Sequence, residues 1–377
     1  MVFIETVRIN GDATAPYSPP GSGAGSNFSY APIAAAGTPI AGQTGNLTWT
    51  IGDVVNDPFG DPTTDIIEIV YLARVQPDSG IAHTATTPLT NTVNMDYDTN
   101  SGPATTQTDT ATLTVMQPVL TVSKSAVAAG GDTVLAADEL ITYTVNIVNN
   151  GDAPAYDPLL TDTLPVGVRN GAATITTLSM DLLSGTSLSI LDPVYNAATG
   201  LVTWTFDTGT ADTYTIPAGD TLHIVYQVQA DTGLSAGLTL TNQAQVQQYE
   251  SLDDEDIPTA GSANGESQTY GPTNVASVTF TTDTPDALDK ANPPTPFAAI
   301  GELFSYEITV PATPQATALH DVRIIDNLTI SAADMHFVSV AKISGSQPWT
   351  PVNTGTDTQL VIEDPAIGID IPAGEQV

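Results

Sequence analysis

The stretch Ile141-Thr-Tyr-Thr-Val-Asn-Ile147 alternates apolar and polar residues from one end to the other. A period of two places successive side chains on opposite faces of a β-strand, so the stretch is typical of a half-buried strand. A second stretch of this type is Thr221-Leu-His-Ile-Val-Tyr-Gln-Val228. Turn signals such as Asn150-Gly151 and Asn170-Gly171 stand between such segments. We find no long helical periodicity, and we predict an all-β chain.

Short motifs recur along the chain at offsets the size of a domain, which indicates tandem repeats rather than a solenoid. The recurring pairs are Ile216–Leu222 with Ile371–Val377, Glu139–Tyr143 with Glu302–Tyr306, Thr161–Leu164 with Ile325–Leu328, Leu47–Thr50 with Val202–Thr205, Asp65–Tyr71 with Asp220–Tyr226, Leu89–Thr92 with Leu240–Gln243, and Ala111–Val115 with Ala276–Phe280. Many strands with regular turns favour immunoglobulin-like β-sandwiches in tandem. We predict the rear part of one domain at 1–116, a complete domain at 117–283 and the front part of a third at 284–377.

The composition excludes several classes of function. The chain carries 42 Asp and Glu against 7 Lys and Arg, a net charge of -35, which repels nucleic acids and anionic membrane surfaces. Cysteine is absent, which removes thiol catalysis, disulfides and cysteine-based zinc sites. No apolar run in this fragment approaches the roughly 20 residues of a membrane span. A signal peptide, an anchor or a tip domain is expected outside this fragment.

The complete repeat resembles a widespread bacterial surface repeat, the eleventh domain-of-unknown-function family. The motifs that carry the resemblance are Val119–Lys124, Thr142–Thr144, Asn149–Gly151, Thr161–Gly167, Thr203–Thr205, Pro217–Gly219 and Leu240–Asn242. The third copy departs from the pattern, because Asp326 is followed by Asn-Leu-Thr without Pro-x-Gly. The resemblance implies an extracellular, cell-surface location and a tandem stalk of an adhesin-like protein, with neighbouring repeats as partners.

An enzyme is not expected. The histidines His83, His223, His320 and His336 lack metal-ligand spacing, and no nucleophile elbow or phosphate loop occurs. Two structural functions remain open: a stalk that extends an adhesive tip, and a subunit of an extracellular filament, sheath or surface layer that contacts other subunits. A carbohydrate-binding module is a weaker third alternative, because aromatic residues make up 6% of the chain.

Calcium is the one cofactor that the sequence suggests. The turn at Asp96, Asp98 and Asn100 alternates oxygen ligands as a calcium loop does, although the closing Glu of an EF-hand is missing. The acidic run Asp253, Asp254 and Asp256 follows the equivalent strand of the second copy. The alternative interpretation is a solvated acidic loop in both places.

The sharpest prediction is an intramolecular isopeptide bond between Lys124 and Asn242, assisted by Asp162. Strand alternation places each of the three on a core face. Strands near the two ends of an immunoglobulin-like unit can be neighbours, which would bring Lys124 and Asn242 together. Partial sets are Asn91 in the first copy, and Lys290 with Asp326 in the third, whose partners are expected beyond the fragment. The alternative is a buried Lys–Asp ion pair capped by the asparagine, without a covalent bond.

Overall fold

The computed structural model describes residues 88–98, 102, 104–168, 175–206, 214–252, 267–330 and 335–377, together with strand segments at 2–9, 28–31, 48–51 and 69–75. In chain order the strands are β1 (Val2–Ile9), β2 (Phe28–Ala31), β3 (Thr48–Ile51), β4 (Ile69–Arg74), β5 (Pro88–Tyr97), β6 (Thr105–Thr114), β7 (Leu120–Ala128), β8 (Leu140–Asn149), β9 (Tyr156–Thr163), β10 (Thr176–Leu182), β11 (Val194–Asn196), β12 (Leu201–Thr205), β13 (Thr221–Gln229), β14 (Thr239–Glu250), β15 (Thr269–Tyr270), β16 (Ala276–Thr281), β17 (Asp289–Ala291), β18 (Glu307–Thr309), β19 (Ile324–Asn327), β20 (Val352–Asn353) and β21 (Gln359–Glu363). A short 3-10 turn spans Leu328–Ile330.

The prediction of an all-β chain of β-sandwich type is confirmed by these strands and their sheets. The chain divides into two compact units, Met1–Gln117 with Glu250–Thr269, and Pro118–Tyr249 with Tyr270–Val377. In the first unit β1 pairs with β4, β2 with β3, and β5 with β6, each pair antiparallel. Among the residues that the structure describes, no helix has the length and apolar character that a membrane crossing requires.

The complete repeat is a sandwich of two sheets within the second unit. One sheet has the strand order β10-β13-β8-β7, and the other has β11-β12-β9-β14-β15 with β16 also paired to β14. The two inner faces meet in one apolar core, in which Trp204 of β12 packs against Tyr226 of β13 with ring centroids 5.2 Å apart. Both rings have no solvent exposure, and large buried rings contribute much of the hydrophobic stabilisation of such a core.

Residues 284–377 repeat part of this arrangement. The pair β17-β18 and the sheet β19-β21-β20 are the sheets described there. Leu319 forms an antiparallel bridge with Ile371, as Ala155 does with Ile216 in the complete repeat. The aspartate two residues after each bridge, at positions 157 and 321, has a positive φ. These matched features fix Asp326 as the structural counterpart of Asp162.

Candidate functional site

One lysine lies on the buried face of β7. Leu120 and Val122 are buried, and Lys124 follows them at the same two-residue step, while Ser123 and Ser125 face solvent. The side chain of Lys124 has no solvent exposure. Burial of an unpaired ammonium in an apolar core costs several kcal/mol, on the order of 5, so this position demands polar partners.

The first partner is an aspartate on the opposite sheet. Asp162 lies on β9 between Leu160 and Leu164, and all three side chains are buried. The ammonium of Lys124 donates a hydrogen bond to Oδ2 of Asp162. The other oxygen, Oδ1, is buried and has no hydrogen-bond partner among the described residues.

The second partner is an asparagine on β14. Asn242 is 1% exposed and shares its face with the buried residues Leu240, Ala244 and Val246. Its amide Nδ2 donates to the hydroxyl of Tyr226 over 3.2 Å. Its carbonyl Oδ1, like Oδ1 of Asp162, is buried and has no hydrogen-bond partner among the described residues. The site therefore holds two buried acceptor oxygens that receive no hydrogen bond from the described residues.

The strands of Lys124 and Asn242 belong to opposite sheets of the sandwich. β7 pairs with β8 in one sheet, whereas β14 pairs with β9, β15 and β16 in the other. Lys124 and Asn242 therefore approach one another across the core rather than along a shared ladder. The physical reason is that a sandwich distributes the strands of a repeat between its two layers, whose inward-facing side chains interdigitate.

Tyr226 joins the three residues, and the sequence patterns did not identify it. Its hydroxyl accepts a hydrogen bond from Lys124 Nζ at 2.7 Å and from Asn242 Nδ2 at 3.2 Å, and donates one to Asp162 Oδ2 at 2.5 Å. The ring stacks on Tyr143 with centroids 5.2 Å apart, and Nζ of Lys124 lies 4.4 Å from the centroid of Tyr143. One hydroxyl thus holds all three polar side chains in place.

Two signals could have indicated Tyr226. It lies on the buried face of β13 at the same step as Leu222 and Ile224, and a tyrosine recurs at position 71 in the matching segment of the first copy. A buried tyrosine hydroxyl requires a hydrogen-bond partner. Which partner it finds depends on the opposite sheet, which strand periodicity does not reveal.

Burial shifts each ionisable group of the site toward its neutral form. It lowers the pKa of Lys124, against the attraction and hydrogen bond of Asp162, which act to raise it. Burial raises the pKa of Asp162, while the charge of Lys124, hydrogen bonds from Lys124 and Tyr226, and the nearby amide of Asn242 act in the opposite direction. The pKa of Tyr226 lies well above its usual range, chiefly because of burial. A neutral amine beside a protonated carboxyl is the state that this desolvation favours.

The third repeat places its own lysine and aspartate together. Lys290 Nζ lies 2.6 Å from Asp326 Oδ2 and 4.3 Å from the ring centroid of Tyr306. The contacts repeat those of the complete site, with Tyr306 at the position of Tyr143. The side chains of Lys290 and Asp326 are 33% and 20% exposed, however. Asn91, the member predicted in the first copy, lies on β5 opposite Ala111 of β6.

The acidic residues that suggested calcium do not form a described cluster. Asp96 lies on β5, is exposed, and accepts a hydrogen bond from Thr106 over 2.6 Å. Asp98 is exposed just beyond the strand. The remaining four predicted ligands lie outside the described residues, namely Asn100, Asp253, Asp254 and Asp256. Among the side chains that the structure describes, no group of three or more histidines and carboxylates could hold a metal ion. Calcium binding stays a prediction.

The described histidines occupy separate places. His223 pairs with Asp181 on the outer face of a sheet at 3.2 Å, and His336 pairs with Asp357 at 2.8 Å. His320 contacts the backbone carbonyl of Gly233 at 3.0 Å. His83 lies outside the described residues. None of the three described histidines contacts the cluster of Lys124, Asp162, Asn242 and Tyr226.

Fold and site together define an all-β sandwich with a polar cluster sealed inside its core. No family model matches the chain, and no curated protein matches it. The resemblance to the surface-repeat family therefore stays a prediction.

Solved structures resemble the chain weakly. The fimbrial adhesin FimA of Actinomyces is 17% identical, over 68% of this chain and 80% of that chain, with a TM-score of 0.29. The collagen-binding domain of a Staphylococcus aureus adhesin is 14% identical, over 41% of this chain and 95% of that chain, with a TM-score of 0.22. The C-terminal domain of AspA from Streptococcus pyogenes is 14% identical, over 50% and 55%, with a TM-score of 0.28. Likenesses at these scores carry no argument about function.

Proposed function

We propose that the chain is a stalk segment of an extracellular, adhesin-like surface protein, and that its complete repeat is locked by an isopeptide bond between Lys124 and Asn242. The role is structural, without catalytic turnover of a substrate. The observation that carries the proposal is the sealed cluster in which Lys124 and Asn242 contact the same Tyr226 hydroxyl while Lys124 also contacts Asp162.

The proposed reaction is an internal amide exchange. Neutral Nζ of Lys124 attacks the side-chain carbonyl carbon of Asn242, because an unprotonated amine is a nucleophile. Asp162, protonated on Oδ1, donates its proton toward Oδ1 of Asn242 and polarises the carbonyl, which satisfies the two unpaired oxygens at once. The new C–N bond replaces the bond to Nδ2, and the released amide nitrogen leaves as ammonia. The reaction requires no oxidant and no cofactor.

The site supports this chemistry better than it supports a plain ion pair. A stable buried ion pair needs its remaining acceptors satisfied by hydrogen bonds, and Oδ1 of Asp162 has no such partner among the described residues. The lowered pKa of Lys124 and the raised pKa of Asp162, both mainly due to burial, also favour the neutral pair. The excluded water protects the intermediate from hydrolysis.

A bond between β7 and β14 suits a protein that bears mechanical load. It connects the two sheets and encloses most of the repeat in one covalent loop. By analogy with a disulfide across a loop on the order of 100 residues, it stabilises the fold by about 4 to 5 kcal/mol through the unfolded state. The chain has no cysteine, so a disulfide cannot supply this cross-link, whereas a lysine–asparagine bond can.

Intact mass spectrometry of the full chain tests the proposal. We expect the native mass to fall short of the sequence mass by one ammonia, and a digest to yield a branched peptide that joins Lys124 to Asn242. Asp162→Ala and Asn242→Ala should each restore the sequence mass. An unmodified native mass contradicts the proposal.

One control is essential, because asparagine before glycine can also lose ammonia by forming a cyclic imide. Lys124→Arg keeps the positive charge but removes the nucleophile. We expect Lys124→Arg to restore the sequence mass. If Lys124→Arg still lacks one ammonia, the loss arises at another asparagine and the cross-link is refuted.

A further inference from the structure

The third repeat contacts the complete repeat at a junction formed by residues 315–320 and residues 231–237. The amide of Ala318 donates a hydrogen bond to the carbonyl of Leu234 over 2.9 Å. The carbonyl of Ala318 accepts another from the amide of Ala236 over 3.1 Å. The two segments therefore pair through their backbones, as an added strand pairs with the edge of a sheet.

One histidine side chain spans this junction. His320 belongs to the third repeat, and its ring nitrogen Nε2 lies 3.0 Å from the carbonyl oxygen of Gly233 in the complete repeat. The other ring nitrogen, Nδ1, lies 3.4 Å from Oδ1 of Asp370 in the third repeat. Each nitrogen of the ring thus faces an oxygen acceptor, and the two acceptors belong to different repeats.

The charge of the ring decides whether both contacts can be hydrogen bonds. A neutral imidazole carries one N–H, whereas an imidazolium carries an N–H on each nitrogen and donates to both oxygens. The carboxylate of Asp370 is the stronger acceptor, because hydrogen bonds to a charged group are the stronger ones. A neutral ring therefore keeps its proton on Nδ1, and Nε2 has none to donate to the carbonyl of Gly233. Protonation adds the hydrogen bond that joins the two repeats.

The ionisable groups around the ring are carboxyl groups. In the third repeat, Asp321 adjoins the ring, and its amide donates to Oδ1 of Asp370 over 3.1 Å. In the complete repeat, residues 232–237 carry no ionisable side chain. Asp231 precedes that segment, and its carbonyl accepts a hydrogen bond from the amide of Asp138 over 3.4 Å. Negative charge on these carboxyl groups favours a positive charge on the ring.

We propose that His320 is a pH-dependent clamp between the complete repeat and the third repeat. The imidazolium holds the junction closed in mildly acidic solution, and loss of its proton as the pH rises weakens the contact, since histidine changes charge between about pH 5 and pH 8. The inference goes beyond the structural role proposed above. It does not depend on the Lys124–Asn242 bond, because the junction residues lie outside that site.

Hydrogen exchange measured by NMR tests the inference on the full chain, because the amides of Ala236 and Ala318 donate across the junction. Their protection factors, corrected for the intrinsic pH dependence of exchange, report how often the junction opens. We expect both protection factors to fall about two- to fivefold between about pH 5 and pH 8, the change that loss of one solvent-accessible ion pair produces. The amide of Leu319 donates to Ile371 within the third repeat and should keep its protection factor.

Two histidine variants show whether the clamp is the origin of the change. His320→Gln keeps a donor for the carbonyl of Gly233 but does not take up a proton, so the protection factors of both junction amides should become independent of pH. His336→Gln is the matched control, because His336 pairs with Asp357 instead, and it should retain the full change. Protection factors that do not change with pH in the native chain, or that change equally in His320→Gln, overturn the proposal.

Discussion

The complete repeat and the third repeat hold the same lysine–aspartate pair in two different environments. Lys124 and Asp162 have no solvent exposure, whereas Lys290 and Asp326 are 33% and 20% exposed. The difference follows from neighbouring strands, since β14 and β13 complete the first site and no described strand occupies those places in the second. Burial by β13 and β14, and not the lysine–aspartate pair alone, shifts the protonation of the first site toward the neutral forms.

The largest expected difference concerns the asparagine. Asn242→Ala should lower the free energy of unfolding of the complete repeat by about 4 to 5 kcal/mol, because it removes the covalent loop and its restriction of the unfolded state. Chemical denaturation followed by the fluorescence of the buried Trp204 measures the change. Asn327→Ala is the matched control, because Asn327 is an exposed asparagine on β19; an equal loss there would contradict the comparison.

The next effect concerns the shared hydroxyl. Tyr226→Phe keeps the ring but removes contacts with Lys124, Asp162 and Asn242. We therefore expect slower formation of the Lys124–Asn242 bond. In protein that has not formed this bond, we expect the free energy of unfolding to fall by about 2 kcal/mol. The unbonded fraction is read from intact mass after fixed incubation times. Tyr306→Phe removes the hydroxyl of an exposed tyrosine in the third repeat and should leave that fraction unchanged. Normal bond formation in Tyr226→Phe would show that the hydroxyl is dispensable.

A third effect appears in the pH dependence of stability. In Asn242→Ala the Lys124 amine stays free, and burial holds its pKa below the ordinary lysine value of 10.5. Between the lowered pKa and that ordinary value the unfolded chain binds a proton that the folded chain does not, so the free energy of unfolding rises with pH, by up to about 1.4 kcal/mol per pH unit. In the bonded native chain the amide nitrogen does not titrate, and this slope disappears.

Urea unfolding at a series of neutral to mildly alkaline pH values measures that slope. Asp162 contributes a slope of the opposite sign. Because burial raises its pKa, the free energy of unfolding falls as the pH rises through that raised pKa. The double variant Lys124→Met with Asn242→Ala retains Asp162 but lacks the amine, so its alkaline slope should vanish. The same slope in both variants would place its origin in another group.

The smallest effect is expected at the exposed pair. Asp326→Ala removes the partner of Lys290, but solvent screens the interaction, so the free energy of unfolding should change by about 0 to 1 kcal/mol. The fluorescence of Trp349, which packs in the small core of the third repeat, reports this region. A loss as large as that of Asp162→Ala would contradict solvent screening of the Lys290–Asp326 pair.

Strand periodicity and repetition, both properties of the amino-acid sequence, determined much of this protein. Strand alternation predicted that Lys124, Asp162 and Asn242 face the interior, because each lies on the same face of its strand as apolar neighbours. The recurrence of Lys290 and Asp326 predicted a second pair. Each inference depends only on local geometry and therefore follows from sequence.

Only the tertiary structure decided how these residues meet. It placed β7 and β14 in opposite sheets rather than side by side, and it brought Tyr226 to the centre of the cluster. It also showed that β13 and β14 supply the residues that surround Lys124, namely Tyr226 and Asn242. Solvent access depends on strands that pack from distant parts of the chain, and a local pattern carries no information about which of them are in place.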